Sequence, residues 1–124
     1  MEFNESRNIF LQIEDWLNER ILLGEYKPND RIPSVRELAE EMEVNRNTVM
    51  RTYSNMESQG ILENKRGVGF FVSEKAPKEI KEIQKKEFFD KDLPKLINKI
   101  KLLKLSAEDL GELILALNHN RHEN

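Results

Sequence analysis

The sequence contains no cysteine, and its 124 residues include only 5 glycines and 4 prolines. The absence of cysteine excludes disulfide bonds, thiolate zinc sites and a cysteine nucleophile. No apolar run reaches the roughly 18–20 residues that span a membrane, and residues Met1–Arg7 show no apolar signal segment. We therefore expect a cytoplasmic protein that does not bind a membrane, with the length of one domain or of one small domain with an appendage.

The sequence also lacks an excess of positive charge. It carries 20 Lys and Arg against 23 Asp and Glu, for a net charge of −3, and the first 74 residues hold 9 basic and 14 acidic residues. Between residues 44 and 72 the balance reverses to four basic and two acidic residues. A nucleic-acid surface needs only a local basic face, so this is the segment in which one is expected.

Apolar residues repeated every four positions predict a first helix from about Ile9 to Leu23. Ser6 or Asn8 can cap its start, and Gly24 is placed to end it. The Pro28–Asn29 pair predicts a type II turn, because proline fixes φ at the second turn position and asparagine tolerates a positive φ at the third.

The start of a second helix is marked by the capping box Ser34–Glu37, in which each of the two side chains accepts from the other residue's amide. This helix stops at Glu43–Val44. Asn45 is the expected cap of a third helix, which runs from about Arg46 to Gln59 and ends at Gly60. Its predicted buried line is Val49, Tyr53 and Met56, and its predicted outer face is Asn47, Met50, Arg51 and Ser54.

Two helices joined by a three-residue turn form a helix-turn-helix. The next residues predict a β-hairpin with strands Ile61–Asn64 and Phe70–Val72, since β-branched and aromatic residues flank the glycine-containing turn Lys65–Gly69. A hairpin in this position is a wing. The expected architecture of residues 1–74 is therefore a winged helix-turn-helix.

Three motifs occur in order between Ile9 and Val72. They are IPSVRELA at Ile32–Ala39, VNRNTV at Val44–Val49, and GIL at Gly60–Leu62 followed by RGVGFFV at Arg66–Val72. In this order and at this spacing they resemble the DNA-binding domain of the GntR family of bacterial transcription regulators. The sequence departs from the pattern at two turn positions, where Glu43 and Asn29 stand in place of the usual glycine. Neither departure removes a group that contacts DNA.

Residues 75–124 are too few for the effector or aminotransferase-like domains of larger GntR proteins, and the sequence does not reveal whether a small-molecule effector binds at the dimer interface. They resemble the helical dimerisation tail of the short YtrA-like subfamily. The complete expectation is a mainly α protein with a small β-hairpin, made of a winged helix-turn-helix over residues 1–74 and a two-helix dimerisation tail over residues 75–124.

The N-terminal part of the recognition helix enters the major groove in helix-turn-helix proteins. With the resemblance, this implies that Arg46 and Asn47 read bases, since Arg suits guanine and Asn suits adenine. The residues expected to contact DNA are Arg36, Asn45, Arg46, Asn47, Thr48, Arg51, Lys65, Arg66 and Gly67. Simpler alternatives remain: a surface pair between Arg36 and Glu40, a salt bridge from Arg51 to a nearby acid, and a wing tip whose charges serve solubility.

In the tail, helical spacing predicts a long helix over Lys78–Leu105, kinked or restarted at Pro94, and a final helix after a capping box at Ser106–Asp109. Two isolated helices cannot cover their apolar stripes on each other, whereas a homodimer can. The residues expected at the dimer interface are Phe89, Leu93, Leu96, Ile97, Ile100, Leu103, Leu110, Leu113, Ile114 and Leu117.

The leading hypothesis is a sequence-specific regulator, acting as a repressor, that binds a palindromic operator in double-stranded DNA as a homodimer and uses no cofactor. Half-sites about 34 Å apart, or a multiple of this, are expected. One alternative is a winged-helix module that binds protein and not DNA. Another, a small metal-dependent enzyme, depends only on His119 and His122 near the end of the chain, where a frayed tail is the simpler interpretation.

Overall fold

A computed structural model of the chain describes the backbone of residues 8–123 and the side chains of residues 8–119. Residues up to Gln84 form one compact unit and residues from Lys85 form a second. The elements are α1 (Ile9–Leu22), α2 (Val35–Met42), α3 (Arg46–Ser58), β1 (Leu62–Lys65), β2 (Gly69–Val72), α4 (Ala76–Glu87), a π-helical turn (Phe88–Asp92), α5 (Leu93–Leu103) and α6 (Ala107–Glu123).

The core of the first unit lies between its three N-terminal helices, because α3 packs against both α1 and α2. The predicted apolar line of α3 is confirmed, since Val49, Tyr53 and Met56 are fully buried. From α1 and α2 the core receives Ile13, Leu17, Ile21, Leu38, Ala39 and Met42. Each helix therefore points most of its predicted apolar stripe inwards, although Ile9, the first residue of the α1 stripe, is 43% exposed. The polar stripe of α3 lies on the outside.

The predicted turns are confirmed at the residues that adopt a positive φ. Gly24 has φ +82° just after α1, and Asn29 has φ +72° in a turn closed by a hydrogen bond from Asp30 N–H to Lys27 O. Glu43 has φ +57° and ψ +46° between α2 and α3, so the position where most helix-turn-helix proteins have glycine is left-handed here too.

The cap of α1 differs from the prediction. Asn8 occupies the cap position, but its side chain accepts no hydrogen bond there, and Ser6 lies outside the described residues. The start of α1 therefore depends on the backbone carbonyl of Asn8, which accepts from Leu11 and Gln12, and on burial of the helix's apolar face.

The wing is an antiparallel hairpin whose register pairs Leu62 with Val72 and Lys65 with Gly69. The predicted first strand, Ile61–Asn64, is displaced by one residue because the Ile61 N–H donates to Met56 O and closes the end of α3. The loop before α2 adds a short third edge, since Arg31 bridges to Phe71. The wing is thereby attached directly to the segment that begins α2.

The first unit extends to Gln84, past the boundary expected at residue 74. Helix α4 begins at Ala76, and both Ala76 and Ile80 are fully buried in the core, with Ile83 packed against it. The composition of this stretch resembles the tail, but the spacing of these three residues gives α4 an apolar face that completes the winged domain.

The long helix expected over Lys78–Leu105 is interrupted. A π-helical turn at Phe88–Asp92 follows α4, and α5 begins at Leu93 with Pro94 as its second residue. Because Pro94 has no N–H to donate to the preceding helical turn, the regular α-helical hydrogen bonding is interrupted there, and a π-helical turn is one form of such an interruption. The predicted capping box of α6 is confirmed: Asp109 N–H donates to Ser106 Oγ (3.1 Å), and Ser106 N–H donates to Asp109 Oδ2 (2.8 Å).

Candidate nucleic-acid interface

The start of α3 is built by the Asn45 cap. Its side-chain oxygen accepts from Asn47 N–H at 2.8 Å, and its carbonyl accepts from Thr48 N–H at 3.0 Å. Arg46 and Asn47, the first residues after the cap, are exposed, whereas Thr48 is half-buried. The positive end of the helix dipole and two side chains able to read bases therefore face outwards together.

The outer face of α3 continues beyond its first turn through Met50, Arg51 and Ser54, all of which are exposed. Arg51 does not form the predicted alternative, a salt bridge, with any acid among the described residues. Its guanidinium carbon lies 4.0 Å from the centre of the Phe10 ring. This cation–π contact holds the guanidinium in place and leaves its five N–H donors available to an anion.

Buried hydrogen bonds fix the inner side of α3. The Tyr53 hydroxyl donates to Pro33 O at 2.6 Å, and the Thr52 hydroxyl lies 3.0 Å from both Thr48 O and Phe10 O. Burial raises the pKa of Tyr53 well above its usual value, so its hydroxyl remains a donor. These bonds fasten α3 to α1 and to the start of α2, which makes the outer face a rigid platform.

The capping box of α2 is present as predicted. Glu37 N–H donates to Ser34 Oγ and Ser34 N–H donates to Glu37 Oε1, both at 3.1 Å. The hydrogen bond from the Ser34 amide is the main cause that lowers the pKa of Glu37. Arg36, which lies between Ser34 and Glu37 on this first turn, is exposed at the positive end of the helix.

The structure forms the predicted alternative for Arg36, an ion pair in which its Nε lies 3.4 Å from Glu40 Oε1. The two side chains are 72% and 65% exposed. Exposed pairs of this kind contribute at most about 1 kcal/mol, so a phosphate oxygen can displace Glu40. The pair therefore does not exclude the predicted contact of Arg36 with DNA.

The wing presents Lys65, Arg66 and Gly67 at its tip, and all three are exposed. Gly67 has φ +79° in a turn closed by Val68 N–H donating to Lys65 O. The ammonium nitrogen of Lys65 lies 4.4 Å from the centre of the Phe71 ring, which directs this cation along the wing. Such a tip can insert an arginine into a minor groove.

Sequence reasoning missed one exposed cation at the base of the wing. The Nε atom of Arg31 lies 2.8 Å from the position that a β-carbon of Gly69 would occupy, so the Arg31 side chain lies directly over that glycine backbone. Gly69 has φ +142°, which glycine adopts readily. The pairing of Arg31 with the wing links residues far apart in the sequence, and no local signal indicates it.

The first unit therefore holds all nine residues expected to contact DNA, on the start of α2, on the start and outer face of α3, and on the wing. The predicted interface residues, from Phe89 to Leu117, all lie in the second unit. None of the helices within residues 8–123 is long and apolar enough to cross a membrane. The side chain of His122 lies outside the described residues, among which no three His, Cys, Asp or Glu residues cluster as metal ligands.

Three helices, a hairpin wing and an exposed basic helix start define the class of winged helix-turn-helix proteins that bind DNA. Residues 10–72 match the family model described as bacterial regulatory proteins, gntR family. The chain belongs to the GntR family. Members of this family are transcription regulators with a DNA-binding winged helix-turn-helix, so the chain is not an enzyme and the alternative of a protein-only module is not supported.

Proteins of similar length and sequence are also named as transcriptional regulators. The chain is 41% identical over 111 residues to the HTH-type transcriptional regulator YhcF of Bacillus subtilis, a match that covers 90% of each protein. It is 45% identical over 71 residues to the HTH-type transcriptional repressor YtrA of the same species, covering 57% of this chain and 55% of YtrA. A GntR-family transcriptional regulator from Bacteroides thetaiotaomicron has a similar structure, with TM-score 0.74 and 36% identity over 92% of this chain and 99% of that one.

Proposed function

We propose that this protein is a cytoplasmic transcriptional repressor that binds a palindromic operator as a homodimer. The observation that carries the proposal is the division of α3 into two faces. Val49, Tyr53 and Met56 are fully buried, whereas Arg46 and Asn47 stand exposed at the helix start. A helix fixed in this way can insert its first turn into the major groove without rearrangement.

Each part of the surface then has a separate role. Arg46 and Asn47 read base edges, since an arginine can bind guanine O6 and N7 and an asparagine can bind adenine N6 and N7. Arg36, Thr48 and Arg51 contact phosphates and set the register, together with the amide groups at the helix starts. Lys65, Arg66 and Gly67 follow the backbone into the minor groove, and Asn45 holds the start of α3.

The dimer is supported by the apolar side chains of the second unit. Phe89, Leu96 and Leu117, for example, are 53%, 41% and 59% exposed, and the large apolar residues of this unit with at least 36% exposure are Phe88, Phe89, Leu96, Ile97, Leu102, Leu103, Leu105, Leu113, Ile114, Leu115 and Leu117. An apolar surface of this extent marks an interaction site. A second copy of the same unit covers it symmetrically, and a two-fold dimer reads a palindrome.

Repression is proposed from the resemblance to YtrA, which is named as a repressor. A dimer seated on a promoter blocks access to the same DNA. No cofactor is needed for this function, because the contacts involve side chains and backbone amides alone.

The test is a selection of duplexes from a random-sequence pool by the purified full chain, followed by binding isotherms with Arg46→Ala. We expect Arg46→Ala to weaken binding to the selected duplex by about 1–3 kcal/mol per contact and to relax preference at one position in each half-site. Lys81→Ala, an exposed basic residue of α4, is the charge-matched control and should retain full sequence preference.

Two results would contradict the proposal. Isotherms of Arg46→Ala that match those of the unmodified chain would remove Arg46 from base reading. Failure to enrich any duplex would contradict sequence-specific binding altogether. A titration with salt gives an independent check, since log affinity should fall linearly with log salt concentration, with a slope set by the number of phosphate contacts.

A further inference from the structure

One large apolar side chain stands on the outer face of α3, where the function proposed above does not use it. Every residue of α3 is described, and among its exposed residues Met50 is the single large apolar one, at 42% exposure. The other apolar residues of the helix, Val49 and Met56, are fully buried. Met50 therefore contributes little to the core, which the buried face of the same helix fills with Val49 and Met56.

The position of Met50 is central to the surface that faces DNA. Asn47 lies three residues before Met50 and Ser54 lies four residues after it, so these two side chains flank Met50 on the same helix face. Arg51, which is also exposed, follows Met50 in the sequence and borders this face. At 1.5 Å per residue, the Cα atom of Met50 stands about 4.5 Å along the helix axis from that of Asn47. This distance is comparable to the roughly 3.4 Å between successive bases of one strand.

The major groove offers one apolar group to a side chain there, the C5-methyl group of thymine. Methionine suits such a contact, because its unbranched and polarisable thioether adapts to irregular apolar surfaces. We propose that Met50 is a specificity-determining residue that recognises a thymine methyl group, one or two base pairs from the base read by Arg46 or Asn47. The proposal rests on the function proposed above and assigns base choice to a residue that makes no hydrogen bond to a base.

The test uses a duplex enriched from a random pool by the full chain, in which each thymine is replaced in turn by deoxyuridine. This change removes the C5-methyl group and retains the O4 acceptor, so hydrogen bonds to the base edge are preserved. We expect replacement in one half-site to weaken binding by about fourfold, the effect of removing one buried methyl group. Replacement in both half-sites should weaken binding on the order of tenfold.

The same duplexes are then titrated with Met50→Ala, which should bind thymine and deoxyuridine at that position equally well. Because Met50 is exposed and alanine favours a helix, the variant should fold, which its circular dichroism and urea midpoint verify. Leu23→Ala is the matched control: Leu23 is 65% exposed and lies just after α1. This control should retain the full thymine preference.

The possible outcomes distinguish the role of Met50 from the proposed DNA-binding function on which it rests. A deoxyuridine effect that is present in the unmodified chain and absent in Met50→Ala supports the role of Met50. A duplex that is bound specifically but shows the same deoxyuridine effect in both proteins, or none in either, overturns it and leaves the DNA-binding function intact. If no duplex is enriched, the function and the role of Met50 fall together.

Discussion

Replacing Glu43 with glycine should stabilise the protein. Glu43 has φ +57° and ψ +46°, and a left-handed backbone costs a non-glycine residue roughly 1–2 kcal/mol. The side chain is exposed and forms no ion pair or hydrogen bond with any described residue, so its removal loses little. Glycine also gives the unfolded chain more freedom, which costs roughly 0.4–1 kcal/mol. The net expectation is a gain of about 0.5–1 kcal/mol in the free energy of unfolding.

The assay is urea denaturation followed by circular dichroism, at one protein concentration because the proposed dimerisation would make stability depend on concentration. Glu41→Gly is the matched control, since Glu41 is exposed but lies within α2, where glycine should destabilise the helix by about 0.5–1 kcal/mol. The same substitution at two positions only two residues apart should thus change the free energy of unfolding in opposite directions. A loss of stability in Glu43→Gly would refute the argument that the left-handed turn is strained.

Two further predictions concern assembly and pH. Leu96→Asp with Ile100→Asp should give monomers by light scattering and greatly weaken operator binding, whereas Lys99→Asp on the same helix should remain dimeric; a double variant that stays dimeric would place the interface elsewhere. Glu37→Gln should lower the urea midpoint most above pH 4.5, the usual pKa of Glu37, because the hydrogen bonds with Ser34 depress the pKa of the Glu37 carboxyl and the stability that they give is lost as pH falls through the depressed pKa. A difference between Glu37→Gln and the unmodified chain that does not shrink in acid would contradict this linkage.

The features that could be predicted are those encoded within one helical turn. The capping boxes at Ser34 and Ser106, the Asn45 cap and the turn at Asn29 each depend on residues two or three positions apart. Local geometry alone determines such bonds. The buried line of α3 could be predicted for a related reason, since apolar spacing fixes one face whatever the partner.

The features that were missed depend on contacts between distant residues. Arg51 stacks on Phe10 and Arg31 lies on Gly69, pairs separated by about forty residues in the sequence. The first two turns of α4 belong to the winged domain because Ala76 and Ile80 fill its core, although their lysine-rich surroundings resemble the tail. Tertiary packing decided each of these, and a pattern within one segment does not contain that information.

The net charge of −3 is compatible with DNA binding because of how the cations are held. An exposed arginine or lysine loses rotamer freedom when it contacts a phosphate, which costs free energy. Because the chain as a whole is acidic, long-range electrostatic attraction between the protein and DNA does not offset that cost. Stacking on Phe10 and Phe71 already restrains Arg51 and Lys65 in the folded protein. In the proposed complex with DNA, part of the entropic cost of fixing these two side chains is therefore met by folding and not by binding, so that a few restrained cations would suffice without a generally basic surface.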